Sequence, residues 1–518
     1  MVAAGILLSR VVGLIRNRVF AHYFGTSDAA DAFNAAFRIP NFLQNLFGEG
    51  VLSASFIPVY AGLRARGEAK EAERVAGAVA ALLGLVTAAL VLVGVVLTPW
   101  LIAVIAPGFS GEKRGATIHL VRILFPGAGL LVLSAWCLGV LNSHRRFFLS
   151  YAAPVLWNIA IIASLVAFGR SRAQYPLAEI AAWGSVIGSL LQFGVQLPTV
   201  VRLLEGTWPR LVHGSAHVQE VLRNFGPLFV GRGVVQISAY VDTVLASLLP
   251  TGAVAGLSYA QVLYTLPVSL FGMSVSAAEL PAMASAPGSE AERAAYLRQR
   301  LGAGLRQIAF FVVPSAMAFL CLGDVVAGAL YQTGAFTRSM TLYVWGILAG
   351  SAVGLLASTM GRLYASTYYA LHDTRTPLRF AVLRVALTIG LGYLFALPLP
   401  VALGVDPRWG AAGLTASAGI AGWIEFVLLR RALNRRIGET GLPLALAARL
   451  WGAAAAAAAA AWGLRAALPV HHPLVSALVL LTLYGAVYFF LTDRLGIPEA
   501  GAVMRRLRSR DPGAGAAV

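Results

Sequence analysis

Charge is scarce in this chain, and it leans one way. Only 12% of the 518 residues are charged, with 22 acidic side chains against 40 basic ones, while 58% are hydrophobic. Mean hydropathy is +0.76. A soluble domain carries about twice that charged fraction, so an ordinary water-soluble fold is excluded. Cysteine is rarer still. Cys137 and Cys321 both fall in apolar runs, which excludes a disulfide scaffold and leaves two small core side chains. A phosphate-binding glycine loop, a dinucleotide fingerprint and a nucleophile elbow are all missing. His471 and His472 adjoin Pro473 without further ligands at metal spacing, so they read as a solvated turn and no metal is expected. Long polar connections are absent too. A membrane glycosyltransferase or ligase would need an outer domain carrying acid and base residues, and the short loops supply none.

What is present is apolar length. Runs of about 20 residues recur from end to end, each long enough to cross a hydrocarbon core of about 30 Å. About fourteen can be counted, from Val2–Tyr23 and Ala32–Leu63 to Leu444–Ala466 and Leu474–Leu491. The expectation is an all-α polytopic membrane protein. Met1 to Phe20 lacks the order of a cleaved signal and reads as a retained helix. Ala453 to Ala461 is low-complexity filler suited to close helix packing.

The basic residues concentrate in alternate connections. Arg64, Arg66, Lys70 and Arg74 follow the second span, and Arg145 and Arg146 the fourth; Arg430, Arg431, Arg435 and Arg436 follow the twelfth, while Lys113 and Arg114 stand in a poorer odd-numbered loop. The positive-inside rule then puts both termini in the cytoplasm. It also accounts for the net charge of +18 without nucleic acid.

An internal repeat divides the first twelve spans. LFGEGVLSASF at Leu46 to Phe56 aligns with LFGMSVSAAEL at Leu270 to Leu280, and LNSHRR at Leu141 with LHDTRT at Leu371. The offsets are nearly equal and span an even number of helices, which predicts two parallel six-helix repeats, as in transporters. The expected organisation is an N-terminal lobe over 1–210, a C-terminal lobe over 211–440, two additional helices over 441–495 and a basic tail over 496–518.

Ionisable residues inside apolar spans are kept only where they face protein or a water-filled cavity, because each costs about 2.5 to 3.5 kcal/mol at the bilayer centre. They cluster between Ser9 and Pro58, as Arg10, Arg16, Asp31, Arg38 and Glu49, and Arg232 stands in the seventh span. Guanidinium forks match phosphate oxygens and stay charged at working pH, so this excess of arginine suits a diphosphate. Gly13 between Arg10 and Arg16 is expected to bend the helix so that the two converge. Asp31 is placed to pair with one of them, and Asp28 to cap the second helix. Glu49, flanked by glycines, reads equally as a proton site or as a partner for a neighbouring arginine. Asp242 and Glu279 are the candidates for ion coupling, with a helix-packing role for Glu279 as the other reading.

SRVVGLIR at Ser9, FGTSDAADAF at Phe24, RIPNFLQNLFGEGVLSASFIPV at Arg38, VLNSHRRF at Val140, APVLWNI at Ala153, LYQTGAFT at Leu330 and HDTRTPLR at His372 follow one another in order. In these motifs the chain resembles the MurJ (MviN) family, lipid II flippases of the MOP transporter superfamily, over most of its length. The resemblance implies a multi-pass protein of the bacterial inner membrane that moves lipid II, an undecaprenyl-diphosphate-linked disaccharide peptide, to the outer leaflet by alternating access. It implies that Arg10, Arg16 and Asp31 hold the diphosphate-sugar head group, and that the last two spans form a groove for the polyprenyl tail. It implies no enzyme activity and no cofactor, with proton, sodium or membrane potential as the drive. Cell-wall synthesis machinery and surrounding membrane lipids are the implied partners.

The chain departs from the family pattern at Gln44 and around Gln261 and Val262, where relatives carry arginines. Arg232 is the candidate for compensation, with Arg38 and Arg362 behind it. The span Phe380 to Leu397 has no carboxylate, asparagine or glutamine, which argues against a full oxygen cage for sodium with Asp242. Another polyprenyl-diphosphate oligosaccharide is the nearest rival cargo. A cationic drug is disfavoured by the arginines, and a purely structural scaffold would leave them without a purpose.

Overall fold

The computed structural model describes residues 2–47, 49–205, 215–467 and 472–501, with their side chains except at 2–4, 6, 49, 50, 53 and 227–239. It is all-helical, and compact packing divides it into two units, residues 1–255 with 333–337 and residues 256–332 with 338–518.

In the first unit α1 (Val2–Phe24) is followed by α2 (Asp28–Phe47), α3 (Glu49–Ser55) and α4 (Ile57–Ala65), which together make one broken span. Then come α5 (Ala69–Ile105), α6 (Gly111–Ser143), α7 (Phe147–Phe168), α8 (Gln174–Leu203) and α9 (Ala216–Ser247). Helix α6 is the centre, with α2, α5 and α8 packed against it. Two of its buried polar side chains, Ser134 and Trp136, are matched within the unit. Ser134 Oγ donates to Gln196 Oε1 at 2.7 Å and accepts from Gln192 Nε2 at 3.0 Å, and Trp136 Nε1 donates to the Ala76 carbonyl at 3.2 Å. Without water to compete, such groups need partners inside the protein. Helix α9 packs on α2, α3 and α5. Packing therefore keeps α9 with the first unit, whereas the repeat in the sequence sets a division at 210/211.

The second unit runs from α10 (Ala253–Pro267) through a π-helical turn (Val268–Met273) into α11 (Ser274–Ala284), then α12 (Glu290–Cys321) and α13 (Gly323–Tyr331). Helices α14 (Arg338–Ala370), α15 (Arg375–Ala396) and α16 (Pro398–Ala402) follow, then α17 (Gly410–Ile437), α18 (Leu444–Ala467) and α19 (Pro473–Arg494). Helices α14 and α17 approach so closely that a Cβ on Gly354 would lie 2.4 Å from Gly419 Cα. Only small residues permit that crossing. Helix α19 is tied to α12 through a proline. Pro314 lacks the N–H that would pair with the carbonyl four residues earlier, and Tyr488 Oη donates to that Phe310 carbonyl at 2.7 Å instead. Tyr484 Oη donates to the Pro314 carbonyl at 2.7 Å. Tryptophans finish the other end of α12, where Trp345 Nε1 reaches the Phe319 carbonyl and Trp462 Nε1 the Cys321 carbonyl. The two C-terminal helices, set apart at 441–495 in the sequence, thus pack within the second unit.

Among the described residues eleven helical segments are long and apolar enough to cross a membrane. Helix α1, the α2–α4 segment and α9, which the sequence reads as the first, second and seventh spans, are not among these eleven. These three carry Arg10, Arg16, Asp31, Arg38, Glu49, Arg232 and Asp242, whereas Glu279 falls on α11 and Arg362 on α14. Both copies of the repeat motif touch an interruption of regular α-helix, at Phe56 between α3 and α4 and at the π-helical turn. Such interruptions often mark functional positions.

Candidate functional site

Among the described acids of the first unit Asp31 is the most completely enclosed, at 1% exposure. It lies in the first turn of α2, and its cap is Ser27, whose Oγ accepts from Ala30 N at 3.2 Å. Asp28 is therefore the first helical residue rather than the cap. The Asp31 carboxylate accepts from three donors: Lys113 Nζ at 2.7 Å, Gly252 N at 2.8 Å and Ala255 N at 2.8 Å. Lys113 also reaches Asp28 at 2.8 Å, and Thr251 Oγ1 donates to the same acid at 2.8 Å. One lysine thus joins two acids of α2 to the start of α6, while Asp31 holds the turn that opens α10. Neither Arg10 nor Arg16 is a partner of Asp31, contrary to the expectation from the sequence. The physical reason is that two orphan amide N–H groups and an ammonium already fill the carboxylate.

The arginines are arranged differently. In the unbroken helix α1, Arg10 is exposed and Arg16 half-buried. Arg16 donates from Nε and Nη2 to Asn17 Oδ1 at 3.3 and 2.9 Å, and its guanidinium stands 4.9 Å from the centre of the Trp157 ring of α7. Gly13 does not break the helix and faces Asn158 of α7. Arg38 of α2 lies within electrostatic reach of Asp242 of α9, and its carbonyl accepts from Tyr240 Oη at 2.8 Å. The first coupling candidate thus has a cation beside it. The other, Glu279, pairs with Arg300 Nε of α12 at 2.8 Å, as a helix-packing role requires. The side chains of Glu49 and Arg232 lie outside the described residues. Gln44 is half-buried, and Gln261 is exposed and donates to Thr265 Oγ1 at 3.2 Å.

The sequence reading missed two features. Lys113 was counted only as a loop charge. Asp324, 2% exposed at the start of α13, was not noticed, although Arg338 Nη2 at 2.5 Å and Arg465 Nη2 at 2.9 Å both bind it. An acid at the edge of an apolar run was the available signal. The LYQTGAFT motif also acquires a role: Ala335 N donates to the His22 carbonyl at 2.7 Å, and His22 Nδ1 meets Thr333 Oγ1 at 2.9 Å, so 333–337 joins the first unit. Among the described residues no three His, Cys, Asp or Glu side chains could hold a metal ion.

The profile of the family described as lipid II flippase MurJ matches residues 20–483. The chain belongs to the MurJ family. That is a family of transporters, not of enzymes, and its members are multi-pass bacterial membrane proteins. The chain is 31% identical over 436 residues to the lipid II flippase MurJ of Burkholderia cenocepacia, covering 83% of this chain and 82% of that one. It is 32% identical over 530 residues to the probable lipid II flippase MurJ of Rhizobium meliloti, covering 98% and 95%. A solved structure of lipid II flippase MurJ in an inward closed conformation superposes with a TM-score of 0.78 at 24% identity, over 95% of this chain and 98% of that one. An inward-facing multidrug resistance MATE transporter of the MOP superfamily has the same fold, with a TM-score of 0.68 at 15% identity over 82% and 95%.

Proposed function

We propose that this protein carries lipid II across the bacterial inner membrane, moving the diphosphate-sugar head group from the cytoplasmic to the outer leaflet by alternating access. The observation that carries this reading is the state of Arg10. It is an exposed arginine fourteen residues from the Phe24 end of α1, about 21 Å along the helix at 1.5 Å per residue. A charge at that depth is kept only where it faces protein or a water-filled cavity, and an exposed guanidinium there suits a phosphate oxyanion. Arg10, Arg16 and Arg38 supply cationic binding for the diphosphate, with Arg232 and Glu49 on neighbouring parts of α9 and α3. Asp31 acts at one remove, by holding α2, α6 and the start of α10 in place. The two six-helix lobes rock, both termini are cytoplasmic, and α18 and α19 take the polyprenyl tail. The Arg38–Asp242 pair is the element on which a proton or the membrane potential acts.

The test is complementation of a lipid II flippase-depleted bacterium. Wild type is expected to restore growth, and Arg10→Ala and Arg16→Ala to fail at matched membrane abundance. Growth restored equally by both variants would remove the arginines from the transport path. An inserted wild type that gives no rescue would favour a different polyprenyl-diphosphate cargo.

A further inference from the structure

A second set of intramembrane charges stands wholly within the second unit, and of its members only Arg362 is named above, as a weaker candidate for compensation. Glu425 of α17 pairs with Arg384 Nη1 of α15 at 3.2 Å. Arg362 of α14 lies within electrostatic reach of the same carboxylate. Both arginines also act on Tyr264 of α10, whose hydroxyl meets Ser358 Oγ at 2.8 Å. Polar groups of four helices therefore lie within electrostatic reach of one another, and two guanidiniums against one carboxylate leave the cluster net positive.

Depth makes this arrangement informative. Arg362 is eight residues from Ala370, Arg384 nine from Arg375 and Glu425 twelve from Ile437, or about 12, 14 and 18 Å from the nearer helix ends. These three ends lie together, since Arg436 at the end of α17 bonds Asp373 in the α14–α15 turn at 2.7 Å. At such depth charges are retained only against protein or water. Yet the Arg384 side chain is 39% exposed where Glu425 is 15% exposed. Arg362 is exposed as well and has no ion pair among the described residues. A pair built only to tie α15 to α17 would bury the cation with its acid and would need no second arginine. Donors left open beside a hydroxyl pair suit an incoming oxyanion, which accepts from several guanidinium N–H groups at once.

We infer that Arg362 and Arg384, held apart and partly neutralised by Glu425, form a second anion-binding site in the second unit that takes an oxyanion of the lipid-linked cargo, either a phosphate or a carboxylate. The site rests on the flippase reading for the source of the anion. Glu425 sets its strength, by competing with the ligand for Arg384. The two charges of the pair therefore have opposite effects on binding.

The experiment measures affinity of the purified full-length protein in detergent micelles for two titrants. Undecaprenyl diphosphate offers phosphate without carboxylate, and a soluble muramoyl pentapeptide offers carboxylate without phosphate. Arg384→Gln and Arg362→Gln are each expected to weaken one titrant about ten-fold, the loss of one charge-assisted hydrogen bond, whereas Glu425→Gln tightens it several-fold. The titrant affected identifies the source. Arg362→Gln breaks no ion pair and carries the test if Arg384→Gln does not insert. Equal losses in Arg384→Gln and Glu425→Gln, restored in the double variant, would reduce the cluster to a structural ion pair. Unchanged binding in both arginine variants, with Arg10→Ala impaired, overturns this site alone. A wild type that binds neither titrant overturns the flippase reading with it.

Discussion

Asp31 and Glu425 are both acids that meet a cation inside a membrane protein, but they are finished to different degrees. Asp31 is closed: a lysine and two backbone N–H groups fill it, and it is 1% exposed. Glu425 shares an arginine that is 39% exposed, and a second arginine lies nearby without an ion pair among the described residues. The difference separates charges that hold helices from charges that meet a ligand. A satisfied buried carboxylate has no capacity left for cargo. An open guanidinium in a low-dielectric setting stays poised for one.

The largest effect is therefore expected at Asp31. Asp31→Ala leaves two amide N–H groups without an acceptor and Lys113 with only the half-exposed Asp28, at a cost of about 3 kcal/mol. Thermal unfolding of the purified protein reads it directly. Asp31→Ala with Lys113→Met should cost less than the sum of the single changes, because the second removes the cation that has lost its buried acid. Full stability of Asp31→Ala with loss of transport would return Asp31 to the binding site.

Asp324 comes next. Its two arginines are each a third or more exposed, so on Asp324→Ala they rehydrate, and the expected loss is about 2 kcal/mol. Because Arg465 belongs to α18, the same variant should raise proteolytic cleavage between α17 and α18. Unchanged cleavage would mean that Tyr484 and Tyr488 suffice to hold the C-terminal pair. Glu425→Gln is expected to shift stability by less than about 1 kcal/mol, since its partner is already in contact with solvent or ligand. A loss as large as that of Asp31→Ala would erase the distinction between the two acids.

The span pattern and the importance of Asp31 were legible in the sequence, because apolar length and a charge within it are local signals. The partners of Asp31 were not. Lys113 lies 82 positions away and Gly252 contributes only its backbone, so neither side-chain type nor spacing announces them. The turn at Phe56 between α3 and α4 and the π-helical turn escaped for a related reason, since hydropathy is blind to hydrogen-bond register. Arg384 and Glu425 were within reach of the rule that found Arg10. In the eleventh span the lack of oxygen ligands draws the eye before its one arginine at mid-span does.

The smallest effect sharpens the comparison from outside the membrane. Asp373, in the turn after α14, accepts from Thr376 N at 3.0 Å, from Thr376 Oγ1 at 2.7 Å and from Arg436 Nη1 at 2.7 Å. The backbone N–H first, then the hydroxyl and the guanidinium, hold its pKa at about 2, below the ordinary 3.8. A depressed carboxylate favours the fold only while it is ionised in the native state. Its contribution is complete above the unfolded pKa and disappears as pH falls through about 2. Solvent screening keeps that contribution below about 1 kcal/mol. Wild type should therefore unfold at a slightly higher temperature than Asp373→Asn at pH 5, and the gap should narrow at pH 3. Subtracting the two chains at each pH cancels every other titrating acid. A gap that does not change with pH would show that Asp373 acts through hydrogen-bond geometry, which asparagine partly keeps, and not through charge. Closed sites such as that of Asp31 would then owe more to their backbone donors than to their cations.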